Sequence, residues 1–292
     1  MVSLKKKNMH GNTYYYLEHS FRKNGKIDKK EKYLGRALPK NIDQVKEEFL
    51  REFYQVTWFN SFDTIKEQFI KEKRNIPPSL EKKQTEHFAT SFTYNTNRIE
   101  GSTITLRETA DLLERGISPS RRPLEDIKET EAHKAVFYDM LKYNSEMSVS
   151  TVLHWHTQLF QLTKPDIAGK IRTHQVGISG STFRPPYPIE LDLLLGDFFD
   201  WYHQNKKKLH PVHLAGLVHL KFVTIHPFAD GNGRISRLLM NYVLHKNGYP
   251  MLIIPYSQRM SYYTVLERSQ LKKDENVFIL WFFKRYLKEY KQ

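Results

Sequence analysis

The stretch HPFADGNGRISR, residues 226–237, gathers a histidine, an aspartate, an asparagine, two glycines and two arginines into twelve positions. Its flanks, LAGLVHLKFVTI and ISRLLMNYVLHK, have helical periodicity, so it is a loop between two helices rather than a hairpin turn. An EF-hand beginning at Asp230 needs Gly at its sixth position and a carboxylate at its twelfth, which here are Ile235 and Asn241. The Lys-Ser/Thr of a P-loop and the third glycine of the dinucleotide fingerprint are also missing. What remains is a glycine-rich entry to a helix, where bare backbone N–H groups at Gly231 and Gly233 and the helix dipole favour phosphate oxygens. Arg234 and Arg237 lie three apart on the first turn and can each hold a phosphate. Asp230 offers a hard oxygen for a Mg2+ that bridges those phosphates. His226, with an ordinary imidazole pKa of about 6.5, can take a proton from an attacking hydroxyl.

These residues need a frame, and the sequence supplies a largely helical one. Apolar residues at Val45, Phe49, Phe53, Val56, Phe59 and Phe62 predict a helix from about Ile42 to Lys73, which RNIPPS stops. A second helix starts near Leu80 and ends at Gly101. Thr105 and Glu108 form a capping-box pattern ahead of a helix that Gly116 closes. Helices follow over 124–143, 149–162, 191–206, 212–225 and 235–246, with two more to the C-terminus. Two segments break the pattern. GKIRTHQVGISGSTFRPPYP, 169–188, reads as a short hairpin or extended loop, and YYYLEHSFRKNGKIDKKEKYLG, 14–35, reads as a hairpin turning at Asn24-Gly25.

The motif matches, position for position, the HPFxDGNGRxxR signature of Fic-domain proteins, which the chain resembles over roughly residues 80–290. The resemblance implies a mainly α fold, a Fic-fold helical bundle with a β-hairpin flap, to which the small N-terminal β-hairpin module is added. It implies transfer of AMP from ATP to a protein hydroxyl. It makes His226 the general base, Asp230 the Mg2+ ligand, and Gly231, Asn232 and Gly233 the anion cradle. Arg234 then meets the β-phosphate and Arg237 the γ-phosphate, while Phe228 packs in the core. TNRIEG, 96–101, fits the inhibitory [S/T]xxxE[G/N] pattern, so Glu100 is expected to pair with Arg237 and withdraw the γ-phosphate anchor. The 169–188 stretch resembles the family's flap, with Val176 and Ile178 lining a clamp for the target segment. SQRMSYYTVLERSQ resembles the nucleotide-base region and puts Tyr262 and Tyr263 near the adenine. The expected division is 1–40 for the basic module, 41–145 for a helical region carrying the inhibitory helix at about 85–101, and 146–292 for the catalytic core.

Composition sets the outer limits. With 292 residues, 39% apolar and 13% aromatic, the chain can fill a sizeable core. Zero cysteines exclude disulfides, thiolate metal sites and a cysteine nucleophile, and the thirteen histidines contain no His-Glu-x-x-His arrangement for zinc. The longest apolar run, VFILWFF, is too short to span a bilayer, which leads to an expectation of a soluble, cytoplasmic protein without a membrane partner. Of the net charge of +14, residues 1–40 hold +8, from eleven Lys/Arg and three acids. ATP and a target protein, itself included, are the expected partners, and a homodimer is left open. Two other functions remain on the table: Glu100-dependent removal of AMP from a modified protein, and nucleic-acid association through the basic N-terminal module.

Overall fold

The helix that enters the HPFADGNGRISR loop and the helix that leaves it are the centre of the fold. In the computed structural model, which describes residues 2–23 and 26–290, these are α8 (Pro211–Ile225) and α9 (Asn232–Lys246). Eleven residues of α8 are buried, and every residue of α9 from Ile235 to Leu244 is buried as well. A helix apolar nearly all round has to be enclosed, and α8 and α9 pack on each other inside a ring of partners. The chain divides into two units, Met1–Thr64 and Ile65–Gln292.

In the second unit, α3 (Pro78–Ile99), α5 (Leu124–Lys142) and α6 (Val149–Phe160) pack on α9, while α7 (Leu191–Asn205) and α11 (Glu275–Tyr290) pack on α8. Preceding α3 is α2 (Asn60–Asn75), and α4 (Leu106–Arg115) and α10 (Arg259–Lys272) complete the set. Trp155, Phe137, Phe222, Phe228 and Phe282 are fully buried between them. Helix ends follow the local chemistry of the sequence. Thr105 and Glu108 form a reciprocal capping box on α4, and Gly116 closes it in the left-handed conformation at φ 70°. Leu106 to Arg115 is thereby fixed at both ends.

The first unit departs from a simple hairpin. Three antiparallel strands, β1 (Val2–Met9), β2 (Asn12–Lys23) and β3 (Lys26–Gly35), stand in the order β1-β2-β3. The additional strand is the lysine-rich start of the chain, which turns back through His10 and Gly11, both at positive φ, so that Met9 pairs with Asn12. His-Gly is a weaker turn signal than Asn-Gly, and three consecutive lysines hide the period-two pattern. The turn expected at Asn24-Gly25 lies outside the described residues. Leu17 and His19 on one face of β2 are buried, with the His19 ring 4.7 Å from Phe53 of α1 (Ile42–Tyr54). The single long helix expected to Lys73 is divided by a π-helical turn at Gln55–Phe59. The wider turn shifts the faces there, and Val56, expected among the apolar positions, is 74% exposed.

The flap segment, 169–188, contains no strand; the sole sheet among the described residues is the N-terminal one. Gly and the Pro-Pro pair deny it a ladder, leaving the extended-loop form of the two anticipated. Side chains do the bracing, as Arg172 donates to the carbonyls of His174 and Pro186 and Gln175 to that of Pro185. No helix among the described residues is long and apolar enough to cross a membrane.

Where α8 and α11 meet, Gly216 leaves no room for a side chain: a Cβ would lie 2.9 Å from Ile279 Cδ1 and from Phe282 Cδ1. Gly216→Val therefore overpacks the core, and its urea midpoint should correspond to a loss of about 1–3 kcal/mol. Wild-type stability in this variant would show that the two helices do not meet there.

Candidate active site

Residues 226–237 fold as a sharp connection whose backbone is over-determined. His226 ends α8 in the left-handed conformation at φ 53°, which a non-glycine residue adopts only when its surroundings hold it there. Gly231 caps α9 at φ 80°, and a Cβ on it would stand 2.4 Å from the Phe160 ring, so glycine is required twice over. Asn232 lies at the first turn of α9. Its side chain is bonded to the loop backbone. Its Oδ1 accepts from Phe228 N at 2.9 Å and its Nδ2 donates to Phe228 O at 2.8 Å, so the amide straps the loop backbone and keeps a second N–H over. Phe228, fully buried, stacks on His156 at 3.8 Å between centroids.

His226 Nδ1 lies 3.1 Å from Val223 O. A carbonyl can only accept, so Nδ1 carries the hydrogen and Nε2 presents its lone pair. Burial, aided by the Arg172 guanidinium, lowers the pKa from its ordinary value, against an opposing pull from the Val223 bond, Glu100 and Asp230. The imidazole is therefore neutral and basic at physiological pH. Arg172 ties the flap to this residue: its Nε donates to His226 O at 2.9 Å and its backbone N to Pro227 O at 3.0 Å.

The two arginines of the motif take different partners. Arg237 is 1% exposed and donates Nε to Thr96 Oγ1 at 2.6 Å, Nη2 to Glu100 Oε1 at 2.6 Å and to Thr96 O at 3.2 Å, and Nη1 to Tyr262 Oη at 3.4 Å. The Glu100 carboxylate also lies over the entry of α9, where a Cβ at Gly233 would be 2.2 Å from Glu100 Oε1. An anion thus already sits at the helix N-terminus. Arg234 turns the other way, pairing with Glu129 and, at 3.3 Å, with Asp230 over the face of Phe160.

Asp230 belongs to a network of alternating charge. Its Oδ2 accepts from Lys164 at 2.8 Å, and Lys164 also meets Glu125 at 2.7 Å and Glu129 at 3.2 Å. Desolvation opposes ionisation of Asp230, but Arg234, Lys164 and the Gly231 N–H together hold its pKa below the usual carboxylate value. Among the described residues no group of three or more His, Asp or Glu side chains is arranged to cage a metal. The donor set suits a hard cation that takes one carboxylate and fills its shell with phosphate oxygens and water, as Mg2+ does.

Tyr262 and Tyr263 both bond the protein through their hydroxyls, and Tyr263 stays 41% exposed. Tyr262 is buried, its hydroxyl 2.8 Å from His219 Nε2, and Tyr263 donates to Ile99 O at 2.8 Å just before Glu100. Burial followed by the nearby Glu100 carboxylate pushes the Tyr263 phenol up to about 12, so it remains a donor. Val176 and Ile178 are half-buried along the flap. The flap tip is held by Glu267, whose Oε1 accepts from Ser181 Oγ, Thr182 N and Thr182 Oγ1 at 2.6 to 3.0 Å.

Sequence reasoning did not find Arg172, His156, Lys164, Glu129 or Glu267. His156 Nδ1 accepts from Gly169 N at 2.9 Å, and Nε2 consequently donates to Asp230 O at 3.0 Å. Burial drives its pKa down to about 4, which keeps that one tautomer in place. Arg172, Lys164, His156 and Glu129 lie 54 to 97 positions before the motif and Glu267 lies 30 after it, and each is an ordinary charged or polar residue on a helix or loop. Only the unusual enclosure of α8 and α9 hinted that polar groups would be drawn inward with them.

A glycine-lined helix entry carrying an anion, with a neutral histidine and a cationic network beside it, is an arrangement suited to phosphate. Residues 146–244 match the Fic/DOC family. Protein adenylyltransferase Fic of Drosophila ananassae is 36% identical over 178 residues, which is 60% of this chain and 35% of that protein. The Drosophila melanogaster protein of the same name matches at 36% over the same length, 36% of its own chain. The chain spans about a third of the length of these relatives. A Fic-domain-containing signaling protein from Bacteroides thetaiotaomicron superposes with a TM-score of 0.71 at 25% identity, over 79% of this chain and 92% of that one. Fic-1 from C. elegans gives 0.70 at 26% identity, over 87% and 76%.

Replacing Asn232 by Ala orphans the N–H and C=O of fully buried Phe228. A loss of about 2 kcal/mol or more in urea-unfolding free energy is expected. An unchanged midpoint would mean that the loop keeps its form without this strap.

Proposed function

We propose that the protein transfers AMP from ATP to a Ser, Thr or Tyr hydroxyl of a protein, and that Glu100 restrains the transfer. The observation that carries this is the Arg237–Glu100 pair at the glycine-lined entry of α9. A buried guanidinium needs one anion, and a carboxylate and a γ-phosphate compete for it. The curated relatives, named as protein adenylyltransferases, support the reaction class.

In this mechanism the triphosphate lies along the N-terminus of α9 once Glu100 has yielded, with Arg237 on the γ-phosphate and Arg234 on the β-phosphate. Gly231 and Gly233 let their backbone approach the oxygens. The target segment runs against the flap beside Val176 and Ile178, adding as a strand to a segment that forms no ladder of its own. His226 Nε2 removes the hydroxyl proton as the oxygen attacks the α-phosphorus. The bond to the bridging oxygen breaks, and pyrophosphate leaves on the Arg234 side. Asp230 would hold Mg2+, which offsets phosphate charge when bound; Lys164 has Glu125 and Glu129 to retain it when Asp230 is engaged. Positioning and charge neutralisation supply most of the acceleration. Residues 146–292 on this view carry the chemistry, 41–145 the restraint, and 1–40 a separate role.

With [α-32P]ATP, His226→Ala should lower protein labelling about 100- to 10,000-fold without loss of helical signal. Glu100→Gly should raise labelling above wild type, and ATP should raise its melting temperature by more than it raises that of wild type, because phosphate then neutralises the bare Arg237. Equal labelling by wild type and Glu100→Gly would remove the inhibitory role. AMP released from a modified protein by wild type but not by Glu100→Gly would assign Glu100 to the reverse reaction instead.

Because the His226 pKa is lowered, the base stays neutral as pH falls from 8 through 7 and is lost only below its ordinary value. Asp230, lowered from its own value, stays ionised over the same range. The acid limb of kcat/KM should therefore have its midpoint below about 6.5. A midpoint above 7 would show that another group serves as the base.

A further inference from the structure

The N-terminal sheet has two faces, and only one of them is used by its own unit. On the inner face Leu17 and His19 are buried, with the rings of His19 and Phe21 each 4.7 Å from that of Phe53 in α1. On the outer face the register brings three tyrosines together. Tyr16 pairs directly with Tyr33 across β2 and β3, and Tyr14 lies two residues away on the same face of β2. Ring centroids are 5.1 Å apart for Tyr16 and Tyr33 and 6.2 Å for Tyr14 and Tyr33. Tyr33 is 54% exposed, a large exposure for an aromatic in the middle of a strand.

Cations border this aromatic surface on several sides. Lys5 is the cross-strand partner of Tyr16 and Lys7 that of Tyr14. The Lys7 ammonium lies 4.4 Å from the Tyr16 centroid, and the Arg36 guanidinium 5.6 Å from that of Tyr14. Two acids share the face, and both act as struts for lysines: Glu18 holds Lys5 at 3.7 Å and Lys29 at 3.1 Å, and Glu31 holds Lys7 at 2.8 Å. Lys5, Lys7, Lys29 and Arg36 outnumber Glu18 and Glu31, within forty residues whose net charge is +8.

We propose that this outer face binds single-stranded nucleic acid, with two or three unpaired bases stacking on Tyr14, Tyr16 and Tyr33 while Lys5, Lys7, Lys29 and Arg36 meet the backbone phosphates. Flat aromatic rings held open on a sheet, with cations around them, match both halves of a nucleotide: the π-face of the base and the charge of the phosphate. An acidic peptide satisfies only the second half. Duplex DNA keeps its bases stacked on one another, so the tyrosines gain nothing from it. This role is independent of AMP transfer and of the Fic motif.

Fluorescence anisotropy of labelled oligothymidylate of about twelve nucleotides, with the full chain and salt varied between about 50 and 200 mM, tests the assignment. Wild type should bind at the low end of salt. Tyr33→Ala should weaken binding at least about fivefold at fixed salt and leave the salt slope unchanged, while Tyr33→Phe retains affinity, since stacking needs the ring and not the hydroxyl. Lys5→Gln with Lys7→Gln should reduce the slope by about 1.4, two phosphates at about 0.7 each, and Lys29 remains to hold Glu18. Circular dichroism of each variant checks the sheet. Failure of wild type to bind, equal binding by Tyr33→Ala, duplex of the same length bound as tightly, or displacement by polyglutamate as effective as by unlabelled oligothymidylate would each overturn the proposal.

Discussion

The side chain on which the second unit of this protein turns is Arg237, a guanidinium sealed almost completely from water. Thr96 and Tyr262 orient it with neutral oxygens, but neutral groups cannot offset its charge. Leaving a buried charge without its partner costs about 3–5 kcal/mol, so the pocket is stable only with an anion in it. Glu100 meets that demand from the end of α3, reached through a helix whose last carbonyl is fixed by Tyr263. The position of α3 against α9 and the presence of a negative charge at the helix entry are therefore consequences of one electrostatic requirement. On the proposed mechanism the reaction begins as an exchange of anions in which the cation never goes unpaired.

Around that exchange the loop itself is kept from moving. Asn232 closes a ring on the Phe228 backbone, His156 joins the start of the flap to Asp230, and Arg172 joins the flap to the His226 carbonyl. None of these depends on a titration near neutrality, since burial keeps His156 neutral and Arg172 remains charged in spite of its lowered pKa. His219 follows the same logic: burial drives its pKa down to about 3, so it stays neutral beside Tyr262. On the proposed mechanism His226 is useful as a base only if the oxygen it serves arrives at a fixed point, and the surrounding bonds hold the loop that fixes its end of that geometry.

Much of this was visible in the residues alone because it depends on local rules. The loop between α8 and α9, the capping box at Thr105, the stop at Gly116 and the Glu100–Arg237 pairing all follow from short-range chemistry or from two motifs that match closely. What escaped was set by distant contacts. Arg234 and Arg237 look alike in sequence, yet one turns to Glu129 and the other to Glu100, 105 and 137 residues upstream. Asn232 sits in a glycine-rich stretch where an anion contact is the natural expectation, and only the fold shows Phe228 claiming both ends of its amide. The N-terminal strand was missed for a local reason, since lysines on both faces of β1 erase the alternation by which strands are read.

The absence of a side chain at Gly233 sets the terms on which this protein can change. The same bare patch of backbone that admits the Glu100 carboxylate is where a nucleotide's phosphates would have to lie, so any residue that filled it would exclude both. On the proposed function, escape from restraint is consequently closed off at that position: a lineage that lost the brake there would lose the engine with it. Release from restraint, on the proposed function, runs through the end of α3, where Glu100 follows the last helical residue, Ile99. Restraint and catalysis, on the proposed function, are thus carried on separate segments that meet at one shared void.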